Sequence, residues 1–167
     1  MSIAENYLAE LKQEAATTRK ILKNVPIEKG DWKPHSKNFS LLQLASHVAE
    51  IPGYLTMTIS TNELDFAKSN YKPSIPASRE ELLAIFEKNL KTAEDALISC
   101  SDEEMQKNWT MRSGDTIFFT SPKVLVLRSF CLNHLVHHRA QLGLYLRLLD
   151  VPVPGSYGPS ADDKAGM

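Results

Sequence analysis

The sequence predicts an all-α protein, and three observations support this fold class. Four segments place apolar residues every three or four positions, which is the spacing of one buried helix face. Two of these segments begin with a Ser-x-x-Gln or Ser-x-x-Glu capping box. The period-two alternation of a strand occurs only in one short candidate, residues 116–120. We therefore expect a four-helix bundle, with a hairpin around residues 113–115 as the one β alternative.

The composition is that of a single globular domain. Apolar residues make up 43% and charged residues 23% of the 167 residues, which is close to the average for folded domains. We expect one helical-bundle domain over residues 1–167, with an extended Pro- and Gly-rich tail at 152–167.

The first two helices have clear boundaries. The first is predicted over residues 3–23, with its apolar positions on one side. The second is predicted over residues 40–60, where Ser40 and Gln43 form the capping box. Pro52 removes one helical N–H bond inside this span, so the second helix should bend or break there.

The last two helices follow a long polar loop. The third is predicted over residues 78–99, and a short turn over 101–105 follows it. The fourth should begin at Ser121-Pro122, with serine as N-cap and proline as the first helical residue, and should end near Leu149. Since apolar side chains cover most of its circumference, it is either central to the bundle or half of a dimer interface.

Charge and segment patterns exclude several classes of protein. Lys and Arg number 19 against 20 Asp and Glu, without a basic block, which argues against a nucleic-acid partner. The N-terminus lacks the basic start and apolar core of a secretory signal, and no apolar run reaches the roughly 20 residues of a membrane helix. We expect a cytoplasmic protein with no membrane segment, in which Cys100 and Cys131 are plain thiols.

Three histidines form the candidate metal site. His134 and His138 lie four residues apart on the fourth helix, so they point the same way, one turn apart. A facing helix must supply the remaining ligands, and His47 is the third candidate. Three imidazoles with one open position are typical of catalytic sites. Zinc, nickel, copper and iron all accept imidazole ligands.

Other residues on the same helix faces are candidates to support this site. Glu50 and Tyr54 follow His47 by three and seven residues, and Gln141 and Tyr145 continue the face of the fourth helix. Glu50 is a candidate catalytic base, although a helical glutamate more often holds an imidazole or forms a surface ion pair.

Three further residues stay outside the predicted ligand set. His137 points about 60° away from the direction of His134. His35 lies in a loop, and Cys131 is interpreted as a buried thiol rather than a soft ligand. A further interpretation is that the histidines are hydrogen-bonded core residues that bind no metal. It predicts no stoichiometric metal in protein purified without an affinity tag.

The segments SLLQLASHVAE and NHLVHHRAQLGLYLRLL resemble the DinB-like superfamily. In that family one histidine lies on the second helix, and the pattern H-x-x-H-H-R-x-Q lies on the last. The resemblance extends to DWKPHSKNFS and to VPVPGSYGPSADD, with Ala140 where the family usually has glycine. It implies His47, His134 and His138 as the metal ligands.

The resemblance also implies a fold and several activities. The expected fold is a four-helix bundle of up-down-down-up order, often homodimeric, with nickel or zinc at the histidines. The superfamily includes bacillithiol S-transferases, mycothiol-dependent isomerases and metal-dependent hydrolases. The leading hypothesis is therefore a metal-dependent enzyme that hydrolyses a small molecule or joins it to a low-molecular-weight thiol. The alternative is a dimeric helical binding or structural protein whose metal is not catalytic.

Overall fold

A computed structural model describes residues 2–163 as a mostly helical protein with a small sheet. The α-helices are α1 (Ile3–Leu22), α2 (Leu41–Glu50), α3 (Pro52–Ser60), α4 (Arg79–Ser99), α5 (Asp102–Gln106), α6 (Lys123–Val126) and α7 (His134–Leu148). A 3₁₀ turn (Ile27–Lys29) follows α1, and a π-helix (Leu127–Asn133) joins α6 to α7. The strands are β1 (Glu63–Asp65), β2 (Asn108–Ser113) and β3 (Thr116–Pro122).

The sheet corrects the all-α prediction. Strand β1 pairs in parallel with β2, and β2 pairs antiparallel with β3. The predicted hairpin is confirmed, because Gly114 turns the chain with a φ of 56°, a conformation that favours glycine. Strand β1 has only three residues, and β3 is mostly exposed, so neither carries a sustained alternating pattern.

The main core lies between the long helices. Helix α4 packs against α1, α2 and α3, and α7 packs against α1 and α2. The buried side chains of this core are mostly Leu, Ala, Val and Ile. A second, smaller cluster of Trp109, Met111 and Val126 joins the sheet to the start of the last helical run. The up-down-down-up order of the helices stays a prediction.

The predicted break at Pro52 is confirmed, and it places the candidate site. Ser40 and Gln43 form the capping box of α2, with bonds of 2.9 and 3.3 Å. Helix α2 ends with the bond from the Ile51 N–H to the His47 carbonyl, and Pro52 then opens α3. His47 is therefore in the last turn of α2, and Glu50 is its final residue.

The fourth helical run begins later than predicted. Ser121 and Pro122 end strand β3, and the backbone of Pro122 is extended with a ψ of 140°, so the helix begins at Lys123. The π-helix between α6 and α7 was not predicted. This π-helix ends at the residue before His134.

The tail folds back onto α1 and α7. Residues 151–163 form no helix or strand, while residues 164–167 of the predicted tail lie outside the described part of the chain. The Tyr157 hydroxyl contacts the Glu14 carboxylate at 2.9 Å and accepts from Arg139 Nη2 at 2.7 Å. Asp162 forms an ion pair with Arg147. No described helix is long and apolar enough to cross a membrane.

A buried lysine at the start of α6 gives a prediction for stability against pH. Lys123 Nζ donates to Glu104 Oε1 at 2.6 Å and to the Ile59 carbonyl at 2.8 Å, and Lys107 donates to Glu104 Oε2 at 2.7 Å. The hydrogen bonds from Lys107 and Lys123 lower the pKa of Glu104 from 4.5 to about 2. The unfolded chain therefore binds more protons between these two values, so the free energy of unfolding should fall as the pH drops from 4.5 towards 2.

Glu104→Gln should remove this contribution, and urea unfolding at pH 5 and pH 3 is the measurement. The wild type should lose more stability than Glu104→Gln between the two pH values. The exposed neighbour Glu103 provides the control, because Glu103→Gln should keep the wild-type loss. Equal losses in all three proteins would contradict the role assigned to Glu104.

Candidate metal centre

The structure brings the three predicted ligands together. One ring nitrogen from each of His47, His134 and His138 lies within 4.8 Å of the other two, and the Nε2 atoms of His47 and His134 are 3.2 Å apart. The ring centroids are separated by 4.5 to 5.0 Å. The contact between α2 and the start of α7 therefore makes a cluster small enough for one ion.

Hydrogen bonds to the far ring nitrogens orient two of these imidazoles. His134 Nδ1 lies 3.1 Å from the Phe130 carbonyl, and His138 Nδ1 lies 2.8 Å from Gln141 Oε1. Since both partners are oxygen acceptors, each Nδ1 carries the proton and each Nε2 keeps a lone pair for a metal. At the end of the π-helix the backbone N–H of His134 bonds the Cys131 carbonyl, and the Phe130 carbonyl accepts from the His134 ring.

The cluster favours neutral imidazole. Burial, followed by the charges of His138 and His134, lowers the pKa of His47 from 6.5 to about 4. Burial is also the main cause that lowers the pKa values of His134 and His138. Neutral imidazole is the form that binds a metal, so this donor set fits a divalent ion of the zinc or nickel type.

Glu50 contacts the loop between β1 and α4, which was not part of the predicted site. Its buried carboxylate accepts from the Tyr71 hydroxyl and from the Ser74 N–H, the latter at 2.9 Å. Both oxygens of Glu50 thus hold the segment between β1 and α4. Burial, followed by the hydrogen bond to Glu50, raises the pKa of Tyr71. The catalytic role of Glu50 stays a prediction.

Aromatic rings surround the cluster. Tyr54 stacks on Phe130 with a centroid distance of 5.3 Å and an interplanar angle of 7°, and Phe130 lies beside His134 at 5.7 Å. Burial raises the pKa of Tyr54, which stays protonated at neutral pH. Tyr145 lies away from this stack, since its hydroxyl donates to the Phe39 carbonyl at 3.2 Å.

A cleft of about 530 Å³ opens beside the histidines. Its lining residues come from α2, α3, the segment around β1, the π-helix and α7: His47, Tyr54, Met57, Leu64, Phe66, Ser69, Tyr71, Phe130 and His134. Of these lining residues, the sequence had indicated His47, His134 and Tyr54, and it gave no signal for the others. Met57 and Phe130 lie on predicted helices, where they could not be told from core residues, and the residues around β1 have no periodic signal.

The residues excluded from the ligand set lie outside the cluster. His137 is exposed, although its ring lies 4.8 Å from that of His138. His35 is exposed in its loop and accepts from the Lys37 N–H. Cys131 is buried 3.9 Å from the Thr58 hydroxyl, and burial raises the pKa of its thiol to about 12.

Gln141 provides a test of ligand orientation. Replacing it with leucine removes the acceptor that holds the Nδ1–H of His138, and we expect metal affinity to fall about 10- to 100-fold. Gln141→Glu keeps an acceptor oxygen and should retain most of the affinity. Competition with a chromophoric chelator measures the difference. Equal affinity of wild type and Gln141→Leu would show that Gln141 does not orient the ligand.

Together, fold and site define a mostly helical protein with a three-histidine cluster that could hold a metal ion. The sequence matches the DinB family over residues 1–166, so this chain belongs to the DinB family. The resemblance inferred from the histidine pattern is thereby confirmed.

Known proteins similar to this chain support the same fold. A DinB-like protein from Bacillus cereus ATCC 10987 has a TM-score of 0.72 at 21% identity, covering 92% of this chain and 97% of its own. The DinB-like protein YjoA of Bacillus subtilis has a TM-score of 0.71 at 12% identity, covering 90% and 97%. The uncharacterized protein YrdA of Bacillus subtilis is 24% identical over 164 residues, which cover 96% of this chain and 92% of YrdA.

Proposed function

We propose that this protein is a metal-dependent enzyme that acts on a small molecule, with His47, His134 and His138 as ligands. The observation that carries the proposal is the position of the cluster at the wall of a cleft. His47 and His134 both line this cleft, so a ligand in it reaches the histidines directly. A purely structural metal would instead be enclosed by a fourth protein ligand.

The donor set favours nickel or zinc, and iron is also compatible with three imidazoles. A divalent ion at this position would lower the pKa of a coordinated thiol or water. Side chains around the histidines orient the ligand rings and shield the site. Gln141 and the Phe130 carbonyl fix two ring orientations, and the aromatic wall of Tyr54 and Phe130 limits the entry of water.

Transfer to a low-molecular-weight thiol is the reaction that these contacts support best. Hydrolysis would use a carboxylate base, but both oxygens of Glu50 are hydrogen-bonded to Tyr71 and Ser74. No carboxylate is among the described residues that line the cleft. In the transfer, the thiol sulfur bonds to an electrophilic carbon, the leaving group departs with the electron pair of its bond, and the thiol proton passes to water.

The remaining expectations belong to the same proposal. We infer a cytoplasmic protein without a nucleic-acid partner, and a four-helix bundle of up-down-down-up order. The exposed Leu144 and Leu148, one turn apart on α7, support a homodimer formed through that helix. Light scattering at two concentrations tests the dimer, and a monomeric mass at both would overturn it.

An activity assay tests the reaction. The protein loaded with nickel, zinc or iron is mixed with 1-chloro-2,4-dinitrobenzene and, in separate samples, glutathione, coenzyme A, bacillithiol or mycothiol. Thiol-dependent product that is lost in His134→Ala supports the transferase. Hydrolysis of a nitrophenyl ester without any thiol, also lost in that variant, would replace transfer by hydrolysis. No metal-dependent turnover in either assay would favour the alternative of a non-catalytic metal.

A further inference from the structure

The cleft beside the histidines has apolar walls. Besides the two imidazoles, its lining consists of aromatic or aliphatic side chains and Ser69, and no Lys, Arg, Asp or Glu is among the described residues that line it. Its volume of about 530 Å³ is in the range of small-molecule sites, roughly 300–1,000 Å³. Since an unpaired charge loses its hydration in such a site, a charged group is disfavoured there.

A continuous series of rings forms the inner wall. Trp109, which is fully buried, lies behind Phe130 at 6.0 Å with an interplanar angle of 30°. Phe130 in turn stacks on Tyr54, and the planes of these two rings are nearly parallel, at 7°. A planar group in the cleft could stack on this rigid wall at little cost in side-chain entropy.

An exposed aromatic pair lies on the sheet side of the cleft. Phe66 lines the cleft and is 49% exposed, and its ring lies 6.2 Å from that of Phe118, which is 56% exposed on the edge strand β3. Burying such rings would normally stabilise the fold, and their exposure together is typical of a binding surface. We call Phe66 and Phe118 the aromatic lip.

Tyr71 lies between this cleft and a second cleft whose lining includes charged side chains. A second cleft of about 400 Å³ shares Tyr54, Met57 and Tyr71 with the first, but it is lined by Lys72 and Lys88. The hydrogen bond between Tyr71 and Glu50 holds the shared wall in place. Charged side chains thus lie on one side of Tyr71, and the histidines lie on the other.

We propose that the substrate places an uncharged, apolar group in the histidine cleft, and that this group is aromatic. It packs against the wall formed by Tyr54 and Phe130 and is covered by Phe66 of the aromatic lip. The inference rests on the proposed function, because it describes the electrophilic half of the substrate on which the metal centre acts. Its evidence is the chemistry of the walls, so it can fail or hold independently of turnover.

Two fluorescent probes with the same rings test the proposal. N-phenyl-1-naphthylamine is neutral, and 8-anilinonaphthalene-1-sulfonate adds one negative charge to the same skeleton. Both are titrated against the metal-loaded protein and against His134→Ala. We expect the neutral probe to bind at least about tenfold more tightly to the metal-free His134→Ala variant, because no Lys or Arg is among the described residues that line the cleft and a sulfonate there stays unpaired. Binding to His134→Ala keeps the result readable even if the metal proposal fails.

Variants locate the probe. Phe66→Ala should weaken the neutral probe about fivefold or more, since it removes one covering ring. Ile98→Ala removes another exposed apolar side chain, on α4 and away from the cleft lining, and should leave the affinity of the neutral probe unchanged. The proposal is overturned if the sulfonate binds as tightly as the neutral probe and Lys88→Ala weakens it, or if Phe66→Ala leaves the neutral probe unaffected.

Discussion

The His134→Ala variant is expected to be isolated without metal, whereas the wild type should carry about one nickel, zinc or iron ion per chain. His134 supplies one of only three imidazoles in the cluster, and its Nε2 lies 3.2 Å from that of His47. With only two imidazoles, water must fill two of the four positions around a tetrahedral ion, so most of the metal affinity should be lost. Elemental analysis of tag-free protein measures the stoichiometry.

His137, which directly precedes His138, is the matched control for this experiment. It lies on the same helix, is exposed, and is not part of the cluster, so His137→Ala should keep the wild-type metal content. Metal retained by His134→Ala, or lost equally from both variants, would contradict the assigned ligand set. Melting temperatures separate the two functional hypotheses, because loss of folding with the metal indicates a structural role.

The Arg139→Met variant is expected to lose about 3–5 kcal/mol of stability. Arg139 is 2% exposed, and its Nη1 lies 2.6 Å from Glu14 Oε2, whose side chain is 9% exposed. The same guanidinium donates to the Glu14 carbonyl at 3.1 Å and to the Thr18 hydroxyl at 3.2 Å. Removing it leaves a buried carboxylate without its cation, and urea unfolding measures the cost.

A second ion pair on the same helical run provides the control. Arg128 pairs with Glu10, but the two side chains are 42% and 36% exposed, so Arg128→Met should cost about 1 kcal/mol or less. The double variant Glu14→Leu with Arg139→Met should recover part of the loss, because no buried charge is left unpaired. Equal losses for the Arg128 and Arg139 variants would show that burial does not decide the contribution of these pairs.

The Arg139 pair also bears on the metal centre. Arg139 follows His138 directly, and its contacts hold α7 against α1 while His138 faces α2. We expect Arg139→Met to lower metal affinity as a consequence of a looser α7, with the ligands themselves unchanged. This effect would be absent in Arg128→Met.

Local patterns in the sequence determined most of the helices and the ligand set. The capping boxes, the break at Pro52 and the spacing of His134 and His138 depend on residues within a few positions of one another. Such signals can be interpreted without the fold, because one helical turn brings residues three or four apart onto one face. His47 was proposed as the third ligand because a facing helix had to supply it, and the resemblance to the DinB-like superfamily implied the same pairing with the last helix.

Tertiary structure alone decided the remaining features. Strand β1 forms because it pairs with β2, about 45 residues further along the chain, and the parallel register has no local sequence signal. The Glu50 carboxylate meets Tyr71 and Ser74 across a loop that has no periodicity. The π-helix and the aromatic wall of the cleft likewise depend on packing between distant segments. Local sequence therefore specified the helices and ligands, and long-range contacts shaped the cleft that gives the ligands access to a substrate.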